Sequence, residues 1–324
     1  MRVCVSGATG FLGGAMARAL AQAGADVRAL CRRGADRTRL AGVPVTWCEG
    51  DTGDPRTLGP WLAGADWVVH AAGMLGAAGV PEAAYRQVNV EGVRNVLAAA
   101  LASEPRPRVV HLSSPGVLGP TAAPADEASA RCPSNAYERS KAAAEDVACE
   151  FAARGLPVVL ARPGFVYGPG DRHTLGLFKA IQRRRFFFID GGRYRCHPTF
   201  IADAVAGMLA CVRDGRSGEA YHIVGPRAVT FRELAEAMAG ALDVRPPRLN
   251  LPRWSAMLGA TTLEAFGRIS GWTPPLSRNG VAFFSEDRVV SGDKAQRELG
   301  FAPRHDIVDG AARTVTWYRQ QGWL

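Results

Sequence analysis

The stretch NAYERSK, residues 135–141, sets a phenol, Tyr137, four residues before an ammonium, Lys141. Lysine is rare in this chain, which has only Lys141, Lys179 and Lys294 and otherwise uses arginine. One helical turn puts both side chains on the same face, where they could serve proton transfer. The alternative is a solvated i, i+4 pair.

A second signal, SGATGFLGG, follows the first apolar run. Gly7, Gly10 and Gly13 are spaced G-x-x-G-x-x-G between a strand-like RVCVS and the helix-like AMARALAQAG. In that context the first glycine allows a sharp turn, the second lets backbone approach a pyrophosphate, and the third lets helix pack on strand. The helix N-terminus then offers free N–H groups to phosphates. A tight turn without a ligand is the alternative. The second strand ends ALCRRGADR, with Cys31 where an acid would bind a ribose 2′-hydroxyl and with Arg32 and Arg33 after it. Arg32 can hold a 2′-phosphate through its fork of donors, so NADP is the expected cofactor, with NAD possible. Two solvated turn arginines are the competing reading.

These residues need a scaffold. Short apolar runs recur at Arg2–Ser6, Val27–Cys31, Val43–Cys48, Trp67–His70, Arg108–Ser113 and Leu156–Arg162, with alanine-rich helical stretches such as Leu12–Ala23 and Val88–Leu101 between most of them. Unbroken apolar strands alternating with helices predict a parallel sheet covered on both faces. The fold class is therefore α/β: a Rossmann-type doubly wound sheet with a smaller C-terminal substrate-binding lobe. Residues 1–165 are read as the dinucleotide-binding domain, with 197–225 returning to it, and 166–196 and 226–324 as the substrate lobe. A helix over 201–213, a strand in AYHIVG (220–225) and a capping box at Thr230 and Glu233 are expected. The amphipathic stretch 254–270 reads as substrate-lobe core or lid in preference to a membrane contact.

Composition narrows the partners. The chain has 324 residues, 47% of them hydrophobic, enough to bury a large core. No run of 18 apolar residues suggests a membrane span, and the N-terminus lacks a signal-peptide pattern. Seven scattered cysteines without C-x-x-C spacing read as reduced thiols of a cytoplasmic protein. The net charge of +9 is spread along the chain. Its densest cluster, QRRRFFF at 182–188, reads as a helix end with exposed arginines before a buried strand rather than a nucleic-acid site.

Together, SGATGFLG at 6–13, HAAG at 70–73, NVEGVRN at 89–95, SSPGVLG at 113–119, YERSK at 137–141 and RPGFVYGPGD at 162–171 resemble the extended short-chain dehydrogenase/reductases, the NAD-dependent epimerase/dehydratase family. DKAQRELGFAPRHDIVDGAARTVTWY at 293–318 resembles the family's C-terminal pattern. The resemblance implies that Tyr137 is the proton donor in carbonyl reduction and that Lys141 lowers its pKa from about 10 and reaches the cofactor ribose. It implies that Ser114 hydrogen-bonds the substrate oxygen, with neighbouring Ser113 as rival, and that Asn89 serves the cofactor or proton relay, unless it is a helix-surface amide. Cofactor contacts are implied for Gly7, Thr9, Gly10, Phe11, Leu12, Gly13, Arg32, Asp51, Thr52, Ala71, Ala72, Gly73, Asn89, Tyr137, Lys141 and Pro163. His70 is read as a strand end.

Departures from the family pattern indicate a branch. No acid stands at Ser114-Pro115-Gly116, where the dehydratases have one, and Phe165 replaces an asparagine of many nucleotide-sugar epimerases. The chain looks closest to the 3β-hydroxysteroid dehydrogenase and dihydroflavonol reductase side. Phe165, Tyr167, Phe178, Phe186, Trp254 and Phe266 are candidates for an apolar pocket or for core. The expected activity is secondary alcohol–ketone interconversion on a fairly apolar small molecule. An NAD-dependent sugar epimerase is the alternative, and a non-catalytic NADP-binding sensor is disfavoured by the intact tyrosine–lysine pair. A homodimer through the helices holding Asn89 and Tyr137 is also implied.

Overall fold

The computed structural model describes residues 1–324 apart from Ala78, Ala122 and 271–275, and leaves out the side chains of 268–270. Thirteen strands appear among these residues: β1 (Arg2–Ser6), β2 (Asp26–Cys31), β3 (Val45–Glu49), β4 (Trp67–His70), β5 (Arg108–Leu112), β6 (Val158–Pro163), β7 (Phe165–Tyr167), β8 (Phe188–Ile189), β9 (Arg195–Cys196), β10 (Pro198–Phe200), β11 (Ala220–Ile223), β12 (Val229–Thr230) and β13 (Asn250–Leu251). The helices are α1 (Phe11–Gln22), α2 (Leu58–Leu62), α3 (Glu82–Arg86), α4 (Gly92–Leu101), α5 (Ala136–Ala153), α6 (Leu175–Gln182), α7 (Ile201–Asp214), α8 (Phe231–Leu242), α9 (Arg253–Ser270), α10 (Arg278–Phe284), α11 (Asp293–Leu299) and α12 (Ile307–Gln320).

Seven strands form one sheet in the order β11-β6-β5-β4-β1-β2-β3, and every pairing in it is parallel. The apolar runs account for this: Val3, Cys4, Val5, Val68, Val69, Val109 and Val110 are fully buried because helices cover both faces. One face packs Met16, Ala17 and Leu20 of α1 and Met208 and Val212 of α7. The other packs Trp61 of α2, Val96 and Leu97 of α4, and Val147 and Phe151 of α5. Strand order reverses between β1 and β4, and open α/β sheets bind ligands beyond the strand ends at such a switch point. The paired ends there are Ser6 and His70.

The expected helix over Val88–Leu101 is instead a longer, interrupted element. Helix α3 starts after Pro81 with Glu82 in its first turn, passes into a π-turn at Gln87–Glu91 and continues as α4. Gly92 follows the π-turn at a crowded place: a Cβ there would lie 3.0 Å from Thr52 Oγ1. Beyond β6 the remaining strands make only two-stranded pairs, β7 with β10, β8 with β13 and β9 with β12. The capping box at Thr230 and Glu233 forms as expected, opening α8. Arg183, Arg184 and Arg185 are exposed after α6, and Phe188 of β8 is buried.

Stretch 254–270 is helical, but the core reading fails for its large residues: Trp254 is 71% and Phe266 60% exposed. Its small residues, Ala256 and Ala260, take the inward face. Tyr167 and Phe178 are core. All seven cysteines are free thiols. Among the described residues no helix is long and apolar enough to cross a membrane.

Candidate functional site

A cleft of about 750 Å³ opens at the switch point, running from the β1–α1 turn to α10. Gly7, Gly10, Phe11, Leu12 and Gly13 line one end. Gly7 has φ +71°, and a Cβ there would meet Ala71 C and Ala72 N at 2.6 Å. At Gly13 a Cβ would collide with the Gly7 carbonyl, which enforces close packing of α1 on the turn. At Gly10 a Cβ would approach only Gly7 O, at 3.1 Å, so the backbone faces open space. Helix α1 begins at Gly10 with no side-chain cap and no acid in its first turn. Its N–H groups and the positive end of its dipole are free for an anion. This cradle fits a dinucleotide's pyrophosphate.

Asn135 caps α5 by accepting from Glu138 N at 3.0 Å. The cap sets Tyr137 in the first turn and Lys141 one turn on, and both line the cleft with Ser113, Ser114 and Pro163. Ser114 ends the loop after β5, where its Oγ accepts from Gly116 N at 3.1 Å, and its hydroxyl is near enough to the Tyr137 phenol to oppose the rise of its pKa. Ser113 is buried and its Oγ has no partner. Lys141 is 7% exposed and donates from Nζ to Leu112 O at 2.7 Å.

The electrostatics depart from expectation at Tyr137. Burial pushes its phenol up to about 12, against the opposing pull of the Ser114 hydroxyl. Lys141 does not lower it in this state, because its ammonium is turned to the Leu112 carbonyl and is itself weakened by desolvation. Burial lowers Lys141 to about 8, opposed by Glu145. Beneath it, His70 and His111 stack at 5.3 Å. Burial, then the Lys141 charge, lowers His70 to about 3 and His111 well below its ordinary value. His70 Nδ1 bonds Ser6 Oγ at 2.7 Å, so His70 ends its strand in the core.

Asn89 is 1% exposed and sits in the π-turn, so it is not a surface amide. Its Oδ1 accepts from Met74 N at 2.7 Å, and its Nδ2 donates to Met74 O at 3.0 Å and to Ser140 Oγ at 2.9 Å. It thereby ties the loop after β4 to the helix of Tyr137. Gly73 lies between Asn89 and Lys141: a Cβ there would be 3.2 Å from Asn89 Oδ1 and 3.5 Å from Lys141 Nζ.

Not every expected cofactor residue lines this cleft. Ala71 and Gly73 do, while Ala72 lies behind, its N–H donating to Ser6 Oγ at 3.2 Å. Thr9 is half-buried within the glycine turn. Arg32 is exposed beyond β2. Asp51 and Thr52 follow β3. Asp51 Oδ1 accepts from Gly53 N at 2.7 Å, and Thr52 O accepts from Asn95 Nδ2 at 2.9 Å. All three sit past the C-terminal ends of β2 and β3, at the same end of the sheet as the glycine turn.

At the far end of the cleft Phe165 packs on Phe283 at 5.6 Å, giving an apolar wall. Phe186, Trp254 and Phe266 are not part of the cleft lining. The sequence reading missed Glu138, Arg288, His197 and Arg39. Glu138 accepts from Arg288 Nη1 at 2.6 Å and from Ser134 Oγ at 2.7 Å, and all three line the cleft. Arg288 Nε and His197 Nδ1 are buried without partners. Arg39 lies 6.0 Å from the Phe11 ring and donates to Gly170 O at 3.0 Å, tying the region after β2 to the loop after β7. No local spacing announces contacts across 131 or 150 residues.

A model of the NAD-dependent epimerase/dehydratase family matches residues 3–224. The 4-hydroxy-2-methyl-3-oxo-4-farnesyl-3,4-dihydroquinoline-1-oxide ketoreductase of Stigmatella aurantiaca is 30% identical over 311 residues, covering 94% of this chain and 92% of that protein. The ceramide reductase of Caulobacter vibrioides is 29% identical, covering 99% and 96%. The dTDP-glucose 4,6-dehydratase DesIV of Streptomyces venezuelae, solved with NAD and TYD bound, superposes with a TM-score of 0.80 at 28% identity, covering 100% and 98%.

Proposed function

The chain belongs to the NAD-dependent epimerase/dehydratase family, and we propose that within it the protein is a nicotinamide-dependent reductase interconverting a secondary alcohol and a ketone on a fairly apolar small molecule. The observation that supports the reading is that Ser114, Tyr137 and Lys141 line one cleft with the glycine turn and with Phe165 and Phe283. Two similar relatives bear the names of reductases of farnesyl-quinoline and ceramide compounds, which agrees with an apolar substrate.

A bound nicotinamide dinucleotide supplies or accepts the hydride. The chain does the rest. The Gly7–Gly13 turn and α1 hold the pyrophosphate. Ser114 donates to the substrate oxygen and aligns it with Tyr137. Tyr137, kept protonated by its high pKa, gives its phenolic proton to the carbonyl oxygen during reduction and takes it back during oxidation. Lys141, released from Leu112 O, holds the ribose hydroxyls and favours the phenolate as it forms. Asn89 positions Met74 and the Tyr137 helix. Phe165 and Phe283 exclude water and receive the apolar body of the substrate.

Arg32 supports NADP: it is exposed, no ion pair engages it among the described residues, and no acid occupies the end of β2. A homodimer through α4 and α5 in the cytoplasm belongs to the same proposal. Dehydration is disfavoured because Pro115 and Gly116 offer no acid, and nearby Glu138 is engaged by Arg288 and Ser134. A sugar epimerase that recycles bound NAD is the second reading, favoured by one observation: the Arg288–Glu138–Ser134 group gives the substrate end a polar side. The deciding experiment denatures the purified protein and identifies released nucleotide. Near-stoichiometric NAD⁺ retained through desalting would favour the epimerase. An empty protein that consumes NADPH with an apolar ketone, and loses this with Tyr137→Phe, would support the reductase.

A further inference from the structure

Helix α9 has two apolar faces. The inner one, Ala256 and Ala260, packs with Ile189 and Val281. Val281 belongs to α10, whose Gly280, Ala282 and Phe283 line the cleft. The outer face carries Trp254, Leu258 and Phe266, exposed by 71%, 61% and 60%, and Leu249 stands just before it at 61%. Trp254, Leu258, Thr262 and Phe266 follow one another at four-residue steps, so they form a ridge about 18 Å long. Single exposed apolar residues need no explanation, but a contiguous ridge marks a docking surface.

Cations stand around Leu249, just ahead of the ridge in the chain. Arg184, Arg245 and Arg248 surround a shallow cleft of about 180 Å³ that ends on Leu249. All three are exposed, and none has an ion-pair partner among the described residues. The acids around α9 are engaged: Glu264 by Arg278 at 2.9 Å, Glu286 by Arg253 at 3.0 Å, and Asp190 by the Arg253 N–H at 2.9 Å. Asp243 is the exposed acid before Arg245 and is outnumbered by these arginines.

We propose that this face docks the protein on an anionic lipid bilayer, with Leu249, Trp254 and Leu258 entering the interfacial layer and Arg184, Arg245 and Arg248 meeting lipid phosphates. Tryptophan with aliphatic residues beside unpaired arginines is the chemistry of an interfacial helix. No described helix can span a bilayer, so the contact is peripheral. A second copy fits less well, because a two-fold contact would set arginines near arginines and leave their charge unmatched. Helices α9 and α10 together separate this face from the cleft, so a docked molecule holds its apolar wall about two helix layers, roughly 16–20 Å, from the lipid. Docking is independent of whether the reaction is reduction or epimerisation.

The test floats the full chain, without substrate, with phosphatidylcholine vesicles and with vesicles also containing phosphatidylglycerol. Wild type is expected to float with the anionic vesicles and to be released by salt. Leu258→Asp should bind at least about tenfold more weakly, and Arg245→Ser with Arg248→Ser should lose the preference for phosphatidylglycerol. Brominated lipid should quench wild-type tryptophan emission more than that of Trp254→Phe. Far-UV circular dichroism and melting temperature, unchanged in these variants, report that they are folded. The proposal is overturned if wild type floats with neither vesicle, if the variants float as wild type does, or if sedimentation velocity shows an assembly of copies that Leu258→Asp breaks.

Discussion

Lys141→Met tests whether the cation beside Tyr137 is held at a cost to the fold. Burial lowers the wild-type ammonium from the 10.5 of free lysine to about 8, with Glu145 opposing. The folded state therefore binds this proton less tightly than the unfolded chain. Between pH 8 and 10.5 the unfolded chain carries more protons, so wild-type stability rises with pH across that window and bears the full cost below it. The gap amounts to about 3 kcal/mol at pH 7 and about 1 kcal/mol at pH 9.5. Methionine removes this cost but leaves Leu112 O without its charged donor, a loss of about 1.5–3 kcal/mol. The two effects nearly cancel at pH 7. On going to pH 9.5 the variant should lose about 2 kcal/mol relative to wild type. Urea unfolding of both unliganded proteins at the two pH values measures this, and other titrating groups cancel in the difference. Ketone reduction by the variant should fall by at least about 100-fold. Stability differences that stay flat with pH would refute the account of Lys141 as a desolvated cation.

Tyr137→Phe should lower kcat by about 10²–10⁴-fold while nucleotide affinity, read by titration, stays near wild type; a variant with full activity would remove Tyr137 from the mechanism. With the Tyr137 phenol held high by burial, reduction should be flat from pH 6 to 7.5, whereas alcohol oxidation, which needs the phenolate, should rise steadily with pH. A level oxidation profile would contradict the assignment. Arg32→Ala should reduce the kcat/KM preference for NADPH over NADH by about 10–100-fold, the worth of a charged hydrogen bond; an unchanged ratio would leave Arg32 a solvated turn residue. Glu145→Gln should destabilise the fold by about 3–5 kcal/mol, since Arg162, held at 2.8 Å and itself buried, would keep an uncompensated charge. A melting temperature near wild type would count against that.

The sheet was legible because its strands are apolar on both faces, and nothing else in a chain of this length reads that way. Arg2–Ser6 and Trp67–His70 match their strands to the residue, since each run ends sharply at glycine, alanine or aspartate. The glycine turn was legible for a related reason: only glycine fits at Gly7 and Gly13. The π-turn at Asn89 was not, because a helix with one extra residue in a turn keeps nearly the same periodicity. Nor does the sequence show where Lys141 points. Spacing along α5 puts a cation one turn away, but it does not say that Leu112 O, from a neighbouring strand, takes its proton donors.

Helix α9 shows where sequence periodicity stops. Trp254, Leu258 and Phe266 repeat at helical spacing, and so do Ala256 and Ala260. A hydrophobicity pattern weighs the large residues more and points them inward. The packing reverses this, because the space against Ile189 and Val281 is narrow and takes alanine. Large side chains there would force the helices apart or distort rotamers. The buried part of the α9–α10 contact is thus made by alanines, with Met257 packed at its margin, while Trp254 and Leu258 face out. A helix needed only as pocket wall would gain stability from polar residues on that outer face. Tryptophan and leucine on that face, near arginines that have no ion-pair partner among the described residues, fit the bilayer docking proposed for it.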